Sequence, residues 1–413
     1  MPPVLSSAHW TGSYDRASLA ERILQFGSGM LLRALCATAV DAANQAGKRA
    51  GRIVVVPSTP EGAQRAAALN AQDGLFTLVE RGLWVGKALE RTTLIGGISR
   101  AVAPEAAADL DVRVIISNVS EAGFRVDAPF PRRLGEVLHA RFTNAPDATL
   151  FVIPTELVPD NGPRLAAMVK QVTGQQPRAF RDWITSRVRF CSSLVDRIVT
   201  APTPDQRAKL ESQLGYRDTL LTVTEPYALW AIECDPVELR AVLPIESASV
   251  VFAPDITFYR ERKLRLLNAL HTATAPLALL AGVRTVRDAT THPRLGPFMR
   301  RLLFEEIIPA TDLPANEARI FAQQVLERFA NPWLEHEWRI IATNQDEKFR
   351  LRVLPLILAS LRVLQRTDKT VPHALALATA AHLKFIQAPL AALGDVARIP
   401  EFAKAVEDAM SCT

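Results

Sequence analysis

Arg22-Ile23-Leu24-Gln25-Phe26-Gly27-Ser28-Gly29, running on into Met30-Leu31-Leu32-Arg33-Ala34, decides the fold of the N-terminal half. Its first five residues read as a short strand, and 31–46 carries helical spacing. Glycines at 27 and 29, between strand and helix, let the main chain approach a pyrophosphate at a helix N-terminus. The pair alone is equally a common tight turn, because Leu32 stands where the usual fingerprint has a third glycine. The next strand, Arg52 to Val56, closes with Pro57-Ser58-Thr59. Neither the acid that grips an adenosine ribose nor an immediate Arg for a 2′-phosphate follows it. NAD and NADP both stay open.

Further buried runs repeat the pattern at Val112–Ile116, Thr149–Ile153 and Ser249–Phe252, with helical stretches between them. Short β-branched runs alternating with helices predict a mostly parallel sheet over residues 1–255. Phe76–Val79 and Gly82–Val85 are expected to form an antiparallel extension. After Pro254 the texture changes. Helical spacing marks 262–280, 295–308, 315–329, 347–364 and 373–386, so 256–413 is expected to be an all-α domain. A substrate site is expected in the cleft between sheet and cap.

The 413 residues suffice for two domains, and 48% apolar with 22% charged residues describes a globular chain. A formal charge of +5 is small for this length, and Lys and Arg are scattered. Nucleic-acid binding therefore has little support. Cys36, Cys191, Cys234 and Cys412 stand far apart, without metal-ligand spacing. No signal peptide or membrane-length apolar run is evident, and the chain is expected to be cytoplasmic, a monomer or small homo-oligomer.

Candidate chemistry gathers on Lys263-Leu-Arg-Leu-Leu-Asn268-Ala-Leu-His271, which puts a Lys, an Asn and a His on one apolar helix. Buried polar groups cost stability unless partnered, so their presence calls for a reason. A Lys in an apolar wall can shed its charge near neutral pH and exchange a proton. At α-helical spacing Asn268 and His271 lie about 140° and 80° around from Lys263, within one broad face. The plainer reading is a snorkelling Lys at a helix start. Arg260, Arg262 and Arg265 would disfavour its charge if any shares the pocket.

Other candidates each have a structural alternative. Asn118, Ser120 and Glu121 follow a strand end and could line a nicotinamide, but Asn118 with Glu121 also reads as a helix cap. Asn161-Gly162 is usually a turn pair. Asp196 and Arg197 could accept hydroxyls and hold an anion, or form an ordinary ion pair. Arg328, Asn331, Lys348, Arg350 and Arg352 are similar candidates in the helical half.

Taken in order, these pieces resemble the mannitol dehydrogenase family, the polyol-specific long-chain dehydrogenases/reductases, over about 21–355. The family's Lys-x4-Asn-x2-His motif is matched by Lys263, Asn268 and His271. The resemblance implies a Lys general acid/base, with the Asn and His positioning the reacting oxygen. It implies that Asn161 completes an oxyanion hole and that Asp196, in Leu194-Val-Asp-Arg-Ile198, binds substrate. It also implies a Rossmann-like N-terminal domain, with Phe26, Gly27, Ser28, Gly29, Leu31, Arg33, Asn118, Ser120 and Glu121 at the cofactor. Gln25–Gly29, Gln72–Thr77, Phe190–Thr200 and Tyr259–Lys263 look most like the branch acting on sugar acids. There the implied reaction is a metal-independent, NAD-dependent interconversion of tagaturonate and altronate. Arg260, where the polyol enzymes typically carry an acid, suits a sugar acid, and Arg197 and Lys348 are carried over as substrate contacts. The chain departs from that branch in a shorter C-terminal half after Phe385, and in Gln345 where a Gly is common. The alternatives are fructuronate, a neutral polyol such as mannitol, or a catalytically silent nucleotide-binding sensor.

Overall fold

The computed structural model describes residues 2–120, 122–364 and 371–412. The chain forms two compact units, 1–81 with 90–256, and 82–89 with 257–413.

In the first unit six strands form one parallel sheet. They are β1 (Glu21–Phe26), β2 (Arg52–Val56), β3 (Ile98–Ala101), β4 (Val114–Ser117), β5 (Leu150–Pro154) and β6 (Val188–Phe190), in the order β3-β2-β1-β4-β5-β6. Side chains alternate between two apolar layers. Ile23, Ile53, Val55, Val114 and Ile116 pack into one, and Leu24, Phe26, Val54, Val56 and Ile115 into the other. Burial on both faces is why these strands read as continuous apolar runs. Ile53, Val54, Val55, Ile115 and Ile116 are all fully buried.

Two sequence expectations change here. Phe76–Trp84 is a single strand, with Lys87–Ile95 on one side and Thr222–Thr224 on the other. The reversal falls at Val85-Gly86, where both residues have positive φ, and the hairpin tip 82–89 groups with the helical unit. Val250–Ala253, expected in the parallel sheet, instead joins a separate three-stranded sheet. There it lies beside Leu229–Glu233, which pairs antiparallel with β7 (Ser193–Asp196). Period-two burial announces a strand without naming its neighbours.

The helices that matter most are α1 (residues 30–45), α2 (Pro60–Ala71) and α3 (Asn161–Val172) in the first unit. In the second they are α4 (residues 257–280), α5 (Ala315–Phe329), α6 (Trp338–Ile341), α7 (Gln345–Arg352) and α8 (His373–Ile386). The expected helix 347–364 breaks into α7 and Leu354–Leu364, with Pro355 just inside the second piece. Both α1 and α4 contain one wide π turn, Arg33–Ala37 and Lys263–Asn268. Such turns are uncommon and tend to fall at functional sites. Among the described residues, no helix is long and apolar enough to cross a membrane.

Candidate active site

The cofactor cradle is built where β1, β2 and β4 end. Gly27 has φ +107°, and a Cβ there would sit 2.6 Å from the Asn118 carbonyl oxygen. Only glycine meets both conditions without strain. A Cβ on Gly29, the residue that starts α1, would meet nothing within 4 Å. That open space lies at the N-terminus of a helix that continues to Gln45, as an anionic pyrophosphate requires. Beside it, a cavity of about 210 Å³ is walled by Phe26, Val56, Pro104 and Phe130, with Ser58, Thr59 and Ser120 at its polar edge. Flat apolar walls with hydroxyls at the rim fit an adenosine, so the residues present suit a dinucleotide.

Several residues assigned to the cofactor by sequence act from behind the cradle. Ser28 is buried, its hydroxyl donating to the Gly62 carbonyl at 3.2 Å and accepting from Arg65 Nε at 3.2 Å. Arg33 is buried too. Its guanidinium donates to the Ser28 carbonyl at 2.8 Å and to Thr222 Oγ1 at 3.2 Å. Burial pulls its pKa down to about 10, and the guanidinium braces the glycine turn. Asn118 Nδ2 ties β4 to β5, donating to the Thr155 carbonyl and Oγ1 at 3.0 Å each. Leu31 is half-buried in the first turn of α1, and Ser120 is exposed at the cavity rim. Glu121 lies outside the described residues.

Asn161 and Arg197 both find partners inside the first unit. Asn161 Nδ2 donates to the carbonyls of Pro154, Glu156 and Ser193 at 3.1, 3.0 and 2.9 Å, and its Oδ1 accepts from Ser193 N at 2.9 Å. Its two amide protons are shared among three carbonyls. Asn161 thereby clamps the strand that carries Asp196, which is itself buried. Arg197 contacts the Ala34 and Glu225 carbonyls and pairs with Glu80 at 2.6 Å. Its side chain is only 3% exposed, and these contacts staple the sheet. Glu156, which no motif announced, supports the β4 loop by accepting from Val119 N at 2.9 Å and Ser117 Oγ at 3.1 Å.

In the helical unit the three motif residues share α4. A π turn closes i→i+5 hydrogen bonds, so residues five apart stack along the helix. Lys263 and Asn268 therefore stand one wide turn apart on nearly the same face, closer in angle than regular α-helical spacing implies. Both are half-buried, as is Arg260 one turn earlier. Two of the neighbouring cations have partners of their own. Arg262 lies over the Phe321 ring at 4.5 Å, and Arg265 pairs with Glu261 at 2.8 Å.

His271 is buried, stacked on Phe329 at 4.1 Å and edge-on to His336 and Trp338 at 5.2 and 6.0 Å. Its Nε2 has no hydrogen-bond partner among the described residues. Burial pushes its pKa well below the ordinary value, with His336, Arg328, Arg352 and Lys348 adding to the shift. The ring is neutral at pH 7 and can present Nε2 to a reacting oxygen. Lys348 donates to the Ile341 carbonyl at 3.0 Å. No sequence signal marked His336 or Trp338 as neighbours of His271, because their contact depends on how α6 docks.

The fold and motif set have counterparts among known proteins. A family profile described as the Mannitol dehydrogenase Rossmann domain matches residues 21–242, and one described as the Mannitol dehydrogenase C-terminal domain matches 255–391. The chain is 37% identical to an altronate oxidoreductase of Klebsiella pneumoniae (strain 342), covering 90% of this chain and 81% of the relative. An altronate oxidoreductase of Cronobacter sakazakii is also 37% identical, over 88% and 80% of the two chains. Among solved structures, a D-sorbitol dehydrogenase superposes with a TM-score of 0.81 at 21% identity, covering 93% and 85% of the two chains. Mannitol 2-dehydrogenase of Pseudomonas fluorescens, solved with NAD and D-mannitol, gives 0.74 at 23%, over 98% and 96%. At such identities these structures speak for the fold. With both profiles matched in order, this chain is a member of the mannitol dehydrogenase family of oxidoreductases.

Proposed function

We propose that this protein interconverts a keto sugar acid and its hydroxy acid with NAD, the pair being tagaturonate and altronate. The observation that carries this is His271, a buried neutral ring with an unpartnered Nε2 on the same helix as Lys263 and Asn268, in a field of cations. A cationic surround favours an anionic substrate over a neutral polyol. The 37% identity to altronate oxidoreductases supports the same choice.

In the reductive direction a dinucleotide held at the cradle would supply the hydride for the keto carbon. Lys263 Nζ gives a proton to the oxygen as its charge develops. Asn268 donates to that oxygen from a fixed position, where preorganised donors are most effective. His271 orients it through Nε2. Asp196 is the proposed ligand for a substrate hydroxyl, and Arg260 and Lys348 supply positive charge for an acid substrate. Asn161 contributes by holding the Asp196 strand. The cradle favours a dinucleotide without choosing between NADH and NADPH, since the end of β2 offers Ser58 and Thr59 and no acid.

The test is oxidation of NADH, and in parallel of NADPH, against tagaturonate, fructuronate and fructose. Lys263→Ala is expected to lower kcat by at least about a hundredfold while NADH binding persists. A marked kcat/KM preference for fructose would overturn the acid assignment. Dinucleotide binding without Lys263-dependent turnover would favour a silent sensor.

A further inference from the structure

Between β6 and β7 the chain passes Cys191, and the antiparallel register sets Cys234 opposite it. The ladder pairs Asp196 with Leu229 and Ser193 with Ile232. Glu233 N then donates to the Ser192 carbonyl at 2.8 Å, which carries the same register one pair past β7. The next pair in that register is Cys191 with Cys234. Their own N–H groups turn outward, Cys191 N to the Val152 carbonyl on β5 at 2.9 Å and Cys234 N to the Ala253 carbonyl at 2.8 Å. The two cysteines therefore occupy a non-hydrogen-bonded position of the ladder. There opposed Cα atoms approach to about 4.5 Å and both side chains share one face. A disulfide accepts Cα separations of about 4.4–6.8 Å.

Both residues carry free thiols. Cys191 is buried in the apolar layer that holds Val195, Trp230 and Ile232, and half-buried Cys234 packs against the same layer. Each thiol rests on its own strand, Cys191 Sγ 3.7 Å from the Arg189 carbonyl and Cys234 Sγ 3.6 Å from the Ile232 carbonyl. Such contacts are weak and easily given up. Burial pushes both thiols up to about 12, with Cys234 adding to the shift of Cys191 and Asp235 and Glu246 to that of Cys234. Glu233 and Glu238 also disfavour a thiolate here, against Arg189 and Arg240. The thiolate is the attacking form, so the pair reacts slowly near pH 7.

We propose that Cys191 and Cys234 are a dithiol site that closes reversibly into a cross-strand disulfide and locks the segment leading to Asp196. The oxidant is a small disulfide such as oxidised glutathione. The Cys234 thiolate, the more exposed of the two, attacks one glutathione sulfur, forming a mixed disulfide and releasing one glutathione. The Cys191 thiolate then attacks Cys234 Sγ and releases the second. Two thiol protons and two electrons pass from the protein to the oxidant, which leaves as two glutathione thiols.

The experiment exposes the native chain to oxidised glutathione at pH 8.5, then counts thiols after denaturation and maps unreduced peptides. Wild type should lose two of its four thiols, give a linked peptide joining 191 to 234, and recover both thiols with dithiothreitol. Cys191→Ser should stop at one glutathione on Cys234, because the resolving thiol is gone. Cys234→Ser should form no internal link. Amide hydrogen exchange across 190–196 should slow in the oxidised wild type and return with reduction. Four surviving thiols in wild type, or a link through Cys36 or Cys412 instead, would overturn the site. A 191–234 disulfide that leaves exchange across 190–196 unchanged would overturn the lock.

Discussion

Gln345 Nε2 donates to the Thr272 carbonyl at 2.9 Å, and that carbonyl needs a donor because Pro276 sits four residues on inside the same helix. Proline has no N–H to return to residue i−4. A side chain from α7 thus completes the backbone of α4 one residue past His271. Gln345→Ala is expected to leave the carbonyl unsatisfied and cost about 1–3 kcal/mol of stability. Urea denaturation monitored by circular dichroism measures it. An unchanged midpoint would mean that the carbonyl has another partner.

Arg197 and Glu80 form a buried ion pair at 2.6 Å, with Glu80 also accepting from Arg91 Nε at 2.6 Å. Arg197→Met leaves Glu80 with Arg91 as its remaining cation, with an expected cost of about 1–3 kcal/mol. Because Arg197 is structural, the surviving folded enzyme should keep a KM for tagaturonate close to that of wild type. A large KM change at unchanged Tm would restore Arg197 to the substrate.

Asn161 pairs with the main chain of Ser193 in both directions, as a neighbouring strand would. Asn161→Asp retains the shape but replaces donors by an acceptor facing three carbonyls. A loss of about 2 kcal/mol or more is expected, with a fall in kcat that follows the loss of stability. If Asn161→Asp folds as stably as wild type and loses only kcat, direct contact with the reacting oxygen is the better account.

Among the described residues of the helical unit, His271, His336 and His382 have lowered pKa values. Burial is the first cause in each, and His382, stacked on Phe349 at 3.9 Å, falls to about 4. With folded values below the unfolded value of about 6.5, the unfolded chain binds the extra protons between them. Stability is therefore full above about pH 6.5 and declines toward pH 4. Replacing His382 by Leu should remove about 1–2 kcal/mol of the decline between pH 7 and 5. Parallel Tm-versus-pH curves for wild type and His382→Leu would contradict the assignment.

What the sequence alone determined is local in origin. Apolar runs such as Arg52–Val56 announced strands buried on both faces, Gly27 announced a turn, and Lys263, Asn268 and His271 announced polar groups on an apolar helix. Burial patterns and backbone freedom are written in neighbouring residues. Tertiary structure decided which of the named polar groups are already occupied. Asn161 meets a partner 32 residues away, Arg197 one 117 away and Arg33 one 189 away. No spacing rule encodes such pairings, because each depends on how separate elements dock.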